Sequence, residues 1–182
     1  MDPEEGWVFT TGRDTATYVH IGIQASPSVE DASIFIGSRD GKFYGLDLYS
    51  GDTLWVNATF DGSWMPSTAA IGKEFVASGS SDSRNFYCFN KENGKILFKV
   101  PTHSYTFSSP ALDGRMACIG SANGRLYGID LEKERATWEF RTEGSLTDTA
   151  GFYDAEGKID MDRLIYFGSC DGYEYAVTDK HQ

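Results

Sequence analysis

Apolar and polar residues alternate in short runs along this chain, and the runs recur in a fixed order. Ser33 to Ser38 is a β-rich run, Arg39-Asp40-Gly41 breaks it, and Lys42 to Asp47 resumes strand character. Alternation over four to eight residues predicts a strand, and an Asp-Gly pair between two such runs supplies the positive φ angles that a short hairpin turn needs. Ser50-Gly51 then turns the chain into a third strand, Thr53 to Val56, which carries Trp55.

The same order returns three times. Phe75 to Ser80, a turn at Asp82 to Arg84, Asn85 to Asn90, Asn93-Gly94 and Lys95 to Lys99 form the second copy, with Phe98 in the Trp position. Met116 to Ser121, Asn123-Gly124, Arg125 to Asp130 and Ala136 to Phe140, with Trp138, form the third. The fourth runs Ile165 to Ser169, Asp171-Gly172 and Tyr173 to Val177, then ends at Gln182 before a Trp strand. Gly-Ser pairs at 37/38, 79/80, 120/121 and 168/169 are spaced by 42, 41 and 48 residues, and Tyr44, Tyr87, Tyr127 and Tyr175 keep step. A further strand precedes each hairpin and is marked by small residues: Ala25 to Ser28, Pro66 to Ala69, Ser108 to Ala111 and Leu146 to Ala150.

Four strands in a repeat of about 40 residues are the signature of a β-propeller blade. The expected fold is therefore all-β: a β-propeller of four four-stranded antiparallel blades in a single domain, 1–182. Glu5 to Gly12 has the pattern of Leu54 to Asp61 and of Thr137 to Gly144. The last blade is accordingly expected to be shared by residues 165–182 and 5–12, so that the N-terminal strand closes the ring and covers its sheet edge. A second arrangement joins two chains, as a homodimer, into one larger ring of eight blades, and a third makes the chain a piece of a longer protein.

Charge narrows the partners. A net charge of −11 repels phosphate backbones and makes nucleic acid an unsuitable partner. No run of 18 apolar residues is available for a membrane span, and the acidic start MDPEEGWVF lacks the features of a signal peptide. Three cysteines without a CxxC spacing argue against a disulfide framework or a thiolate metal site. Cys88 and Cys118 fall in strands as small buried hydrophobes, and Cys170 lies in a turn as the exposed one.

The run Tyr44-Gly-Leu-Asp47-Leu-Tyr-Ser-Gly51-Asp-Thr-Leu-Trp55 resembles the repeat of the pyrroloquinoline-quinone (PQQ) dehydrogenase-like propellers, roughly Tyr-Ala-Leu-Asp-x-x-Thr-Gly-x-x-x-Trp. Tyr127 to Trp138 keeps Asp130 but has Glu134 where Gly is expected, while Tyr87 to Phe98 keeps Gly94 and replaces Asp with Asn90. The resemblance implies that the Trp docks on the next blade and that Asp and Gly shape the turn. It also implies a cofactor pocket with vicinal cysteines and a calcium site in the enzymes of the family. This chain has no vicinal cysteines, so no cofactor and no metal are assigned and the chain is read as noncatalytic. It is similar to noncatalytic members such as the lipoprotein propeller of the outer-membrane barrel-assembly machinery, which bind protein partners; the resemblance implies the periplasm or the outside of the cell, while the residues themselves leave a cytosolic protein open. The alternative is a fragment, half-ring or degenerate relative of a PQQ-dependent dehydrogenase.

Function is expected where the copies disagree, in the links between blades on the loop face. Trp64, His103, Tyr105, Asp148 and His20 stand there. Trp64 lies outside the repeat pattern and suits an anchor for a partner or a stacking platform; Asp148, His20 and His103 are placed to face the central channel. The expected ligand is a protein segment or a small polar molecule. Asp40, Asp82, Asn123 and Asp171, one per hairpin turn, are read as turn formers.

Overall fold

A computed structural model describes residues 6–12, 22–58, 62–153 and 164–178. They contain fifteen strands and no helix. Blade 1 is β1 (Ser28–Glu30), β2 (Ser33–Gly37), β3 (Lys42–Asp47) and β4 (Thr53–Ala58). Blade 2 is β5 (Ala70–Ile71), β6 (Phe75–Gly79), β7 (Asn85–Asn90) and β8 (Ile96–Pro101), and blade 3 is β9 (Ala111–Asp113), β10 (Met116–Ser121), β11 (Arg125–Asp130) and β12 (Arg135–Arg141). Blade 4 shows three strands, β13 (Gly151–Tyr153), β14 (Leu164–Gly168) and β15 (Glu174–Thr178). Each sheet is an antiparallel meander in chain order, and successive inner strands lie side by side, β1 by β5, β5 by β9, β9 by β13.

Burial follows from stacking sheet on sheet. The second and third strands of blades 1 to 3 are buried on both faces, whereas the outer strands β4 and β8 are largely exposed. The core is divided among the blade junctions. Phe35, Phe43 and Trp55 meet Val76, Tyr87 and Phe89 between blades 1 and 2; Ala77, Phe86 and Cys88 meet Ala117, Ile119 and Tyr127 between 2 and 3; Cys118 and Leu126 meet Ile165 and Phe167 between 3 and 4.

The repeat residues do what the resemblance implies. Trp55 Nε1 donates to the Lys91 carbonyl of the next blade at 2.9 Å, and the ring lies where a Cβ on Gly94 would be, 2.2 Å from Cε3. Within its own blade the ring covers Gly45, whose Cβ would come within 2.5 Å of it. Blade 2 departs from this pattern in a concerted way. Phe98 replaces Trp, Cys88 stands at the Gly45 position opposite it, and Glu134 replaces the turn glycine of the following blade at φ 55°. The smaller ring removes the clash that a side chain at either position would meet, while Glu134 keeps the left-handed backbone. In the turns, Oδ1 of Asp47, Asn90 and Asp130 each accepts two backbone N–H groups; an amide oxygen serves as well as a carboxylate, which explains Asn90.

The inner strands lie one step further along than the small-residue stretches suggested, β1 beginning only at Ser28. Those stretches run between blades beside the axis, and their hydroxyls join neighbours: Ser28 Oγ donates to Ala69 O, Ser67 Oγ to Ser108 O and Ser108 Oγ to Asp148 O. Ser26 N–H and Thr68 N–H donate to Thr68 Oγ1 and Ser109 Oγ in turn.

Residues 6–12 pack on blade 1. Trp7 Nε1 donates to Leu48 O at 3.0 Å, its ring lies over Gly51, and Phe9 meets Tyr44 edge to face. Trp7 thus stands to blade 1 as Trp55 stands to blade 2, in the place of an outer strand preceding it. Among the described residues this segment forms no ladder with β15, and blade 4 has three strands.

Candidate functional site

The links between blades are held by a repeated pair of backbone bonds that fixes which side chains face outward. Met65 N–H donates to Ser38 O and Ser81 N–H to Trp64 O; Thr106 and Ala122 do the same around Tyr105, and Leu146 and Cys170 around Ser145. Met65, Thr106 and Leu146 are buried beneath. Trp64, Tyr105 and Ser145 therefore hold equivalent places in three links, and the copies differ there by an indole, a phenol and a hydroxymethyl group.

Each of the two aromatic residues carries an arginine. The Arg39 guanidinium carbon lies 3.5 Å from the Trp64 ring centroid, close enough for a stacked cation–π contact. That of Arg84 lies 5.6 Å from Tyr105, and Tyr105 stands 6.3 Å from Phe107. Trp64 is half-buried, while Tyr105 and Phe107 are exposed. His103 faces elsewhere, into a cleft of about 250 Å³ that includes Tyr127, Trp138 and Glu139. Asp148 is exposed in a third place, a cleft of about 320 Å³ lined by Ser145, Ser169, Cys170, Tyr173 and Glu174. His20 lies outside the described residues. The residues singled out in the sequence are thus distributed over three stations, with Trp64 and Tyr105 in matching links.

The hairpin carboxylates are committed to their turns. Asp40 accepts from Lys42 N–H and the Tyr44 hydroxyl, and Asp171 from Tyr173 N–H, Glu143 N–H and the Tyr175 hydroxyl. Burial works against ionisation of Asp171, but these hydrogen bonds outweigh it and hold its carboxyl below the usual range. Burial and then Asp40 push the Tyr44 phenol well above its ordinary value.

Arg39 and Arg84 were missed because neither belongs to a motif. A signal was present for Arg84: it closes its hairpin at φ 54°, where Gly41, Gly124 and Gly172 close theirs at 77°, 74° and 90°. An L-residue is disfavoured there, so the one non-glycine among four aligned turns marked the position.

The profile of the family described as outer membrane protein assembly factor BamB matches residues 58–168. Among solved structures, BamB from Moraxella catarrhalis superposes with a TM-score of 0.71 over 86% of this chain and 46% of its own, at 23% identity. The computationally designed Ika4 protein gives 0.73 over 92% of this chain and 99% of its own at 16% identity. Quinohemoprotein alcohol dehydrogenase from Comamonas testosteroni gives 0.70 over 86% and 33% at 11%. In sequence, the chain is 23% identical to tetrathionate hydrolase of Acidithiobacillus ferrooxidans over 68% of this chain and 30% of that protein. It is 29% identical to the beta-alanine-activating enzyme of Danio rerio over 59% and 12%. The chain spans less than a third of the length of these curated relatives and under half that of BamB.

Proposed function

We propose, for a chain that belongs to the PQQ-repeat propeller family of the outer membrane protein assembly factor BamB, that it is a noncatalytic binding scaffold engaging a protein segment on its loop face. The observation that carries this reading is the variation at one structural position. The backbone of the three links is held by matching bonds, yet the side chains there are Trp64, Tyr105 and Ser145, and each of the two aromatic ones has a guanidinium within cation–π range. A rigid frame presenting variable aromatic and arginine side chains has the composition of a protein-recognition surface, where Trp, Tyr and Arg dominate the binding energy. The relatives named as enzymes are matched over only 30% and 12% of their length.

The test is a peptide-display selection on the immobilised chain, followed by titration of the enriched peptides against Trp64→Ala and Tyr105→Ala. A central aromatic contributes about 2 kcal/mol or more when truncated, so affinity should fall by roughly 30-fold while the melting temperature stays within a few degrees. Peptides that bind the variants as tightly as the parent would remove the loop face from the account. The half-ring reading draws support from the share of BamB covered; sedimentation equilibrium separates a monomer from two chains sharing one ring.

A further inference from the structure

Two arginines are distinguished among the described cations of this acidic chain by the rings they lie against. Lys42, Lys91, Arg115, Arg125, Lys133 and Arg141 each lie within ion-pair distance of a carboxylate. Arg39 and Arg84 are in none of these pairs, nor are Lys73, Lys95, Lys99 and Arg135, but among the described residues these two lie over aromatic rings, 3.5 Å from the Trp64 centroid and 5.6 Å from that of Tyr105. Stacking a guanidinium on a ring holds its plane while leaving the N–H edge available for a planar bidentate acceptor. Arg39 is half-buried and its Nε is enclosed without a hydrogen-bond partner among the described residues, so it is through the Nη groups that a ligand would meet it.

Arg84 adds an independent sign. It keeps a left-handed backbone at a turn where the sister blades use glycine, and its carbonyl accepts the N–H of Thr102 at 2.8 Å. The next residue, His103, is itself at φ 60°, the place where the preceding link has Gly62 at 68°. In blade 1 these two positions are in close contact, since a Cβ on Gly41 would lie 2.5 Å from the Gly62 carbonyl. Blade 2 thus keeps two side chains in left-handed backbone side by side where blade 1 has two glycines, whereas Asp31 and Glu134 do so singly; strain retained against an available alternative motivates a functional reading.

We propose that Arg39, Trp64, Arg84 and Tyr105 form a rim that binds an acidic peptide segment. Its carboxylates pair with the two guanidiniums, and its apolar side chains lie on the exposed faces of Tyr105 and Phe107. The two arginine–aromatic pairs sit in successive links of one face, so an extended segment can meet both, and the aromatic area beside them suits side chains rather than a bare anion. This deepens the loop-face reading and rests on it. The net charge of −11 does not prevent such contact, because distant charges are screened beyond about 8 Å at physiological ionic strength. Asp82, exposed in the Arg84 turn, is the nearby charge an acidic ligand must pass.

Three fluorescein-labelled peptides of one length, alternating leucine with aspartate, asparagine or lysine, are titrated by anisotropy, with inorganic phosphate as competitor. The aspartate peptide is expected to bind about tenfold tighter than the asparagine one, and Asp82→Asn to tighten it further. Arg84→Gly, which restores the residue of the sister turns, and Arg39→Gln should each weaken the aspartate peptide severalfold, with an unchanged or raised melting temperature. The proposal is overturned if the aspartate and asparagine peptides bind alike, if discrimination survives in the R39Q/R84G chain, or if phosphate displaces the peptide with comparable affinity. Equal binding of all three peptides that is lost in Trp64→Ala would discard the acidic ligand and leave the loop-face scaffold standing; no binding by any of them would discard the proposal, while peptides from the display selection still test the scaffold.

Discussion

Removing Trp55 tests blade docking most directly. The residue is 8% exposed, its ring centroid lies 6.0 Å from those of Phe35 and Phe43, and its Nε1–H reaches across to Lys91 O at 2.9 Å. A buried Trp hides about 150–250 Å², which at about 25 cal/mol per Å² is roughly 4–6 kcal/mol as an upper bound. Truncations of buried aromatics cost about 3–5 kcal/mol once the cavity is included, so Trp55→Ala should cost about 4 kcal/mol. For a chain of this size that lowers the melting temperature by roughly 8–16 °C. Trp55→Phe keeps most of the ring but strands the Lys91 carbonyl, at about 1–3 kcal/mol. Trp138 provides the internal control, because its Nε1 is buried with no acceptor among the described residues. Trp138→Phe removes an unsatisfied donor and no bond, and should cost less than Trp55→Phe by about 1 kcal/mol. Urea unfolding followed by circular dichroism, with unchanged m-values, gives the numbers. A cost under about 1 kcal/mol for Trp55→Ala, or equal costs for the two Phe variants, would refute the docking argument.

Cys170 is exposed, whereas Cys88 and Cys118 are buried and burial pushes the Cys88 thiol up to about 12; Ellman's reagent should therefore titrate one thiol rapidly in the native protein and all three only after unfolding. Asp47 and Asp130 are held below their ordinary value of 3.8, first by the backbone N–H groups of Ser50 and Lys133. Carboxyls depressed by folding stabilise the chain above about pH 4 and lose that contribution as the pH falls through their folded values. Denaturation curves between pH 6 and pH 3 should show this acid limb, reduced in Asp47→Asn, where the amide oxygen keeps the turn as Asn90 does. Glu174→Leu should change stability by less than about 0.5 kcal/mol if its face is solvated; a gain of 1 kcal/mol or more by urea unfolding would show that face buried in a junction.

The blades were legible because their order is written in local chemistry. Glycines at turns, a tyrosine at a fixed offset and alternating strands recur four times, and the strand bounds of β7, β10 and β11 follow the alternation. The departures of blade 2 were visible as three separate exceptions, Cys88, Phe98 and Glu134, and only the packing shows that they are one exception, a smaller ring that frees two glycine positions. The inner strands were misplaced by a few residues because small residues serve the axis through hydroxyl bonds between blades rather than through strand pairing. The loop face was legible as a region but its chemistry was not. Trp64 and Tyr105 stand out as aromatics outside the repeat, whereas Arg39 and Arg84 acquire meaning only through the rings they cover. His103 and Asp148 looked convergent on paper, and the fold assigns them to separate clefts.

The two outer faces of the array are unlike, and the difference bears on how the ring is completed. Toward blade 1 the surface is built as a junction: Ile34, Ile36, Tyr44 and Leu46 are buried with Trp7 and Phe9 packed on them, leaving an apolar cleft of about 220 Å³ that also includes Ile23 and Pro27. Beyond blade 4 the surface is not. Where the other blades place Phe43, Phe86 and Leu126, at most 1% exposed, blade 4 has Glu174, with exposed Tyr166 and Ala176 beside it. Joining these two faces as the inner junctions are joined would set a carboxylate against Leu46, and burying an unpaired charge costs far more than the apolar contact returns. A ring closed through this face, in one chain or between two, must therefore hold Glu174 at a solvated edge, with residues 6–12 furnishing the apolar contact to blade 1. Trp7, already docked as Trp55 is docked, is the side chain equipped to do so.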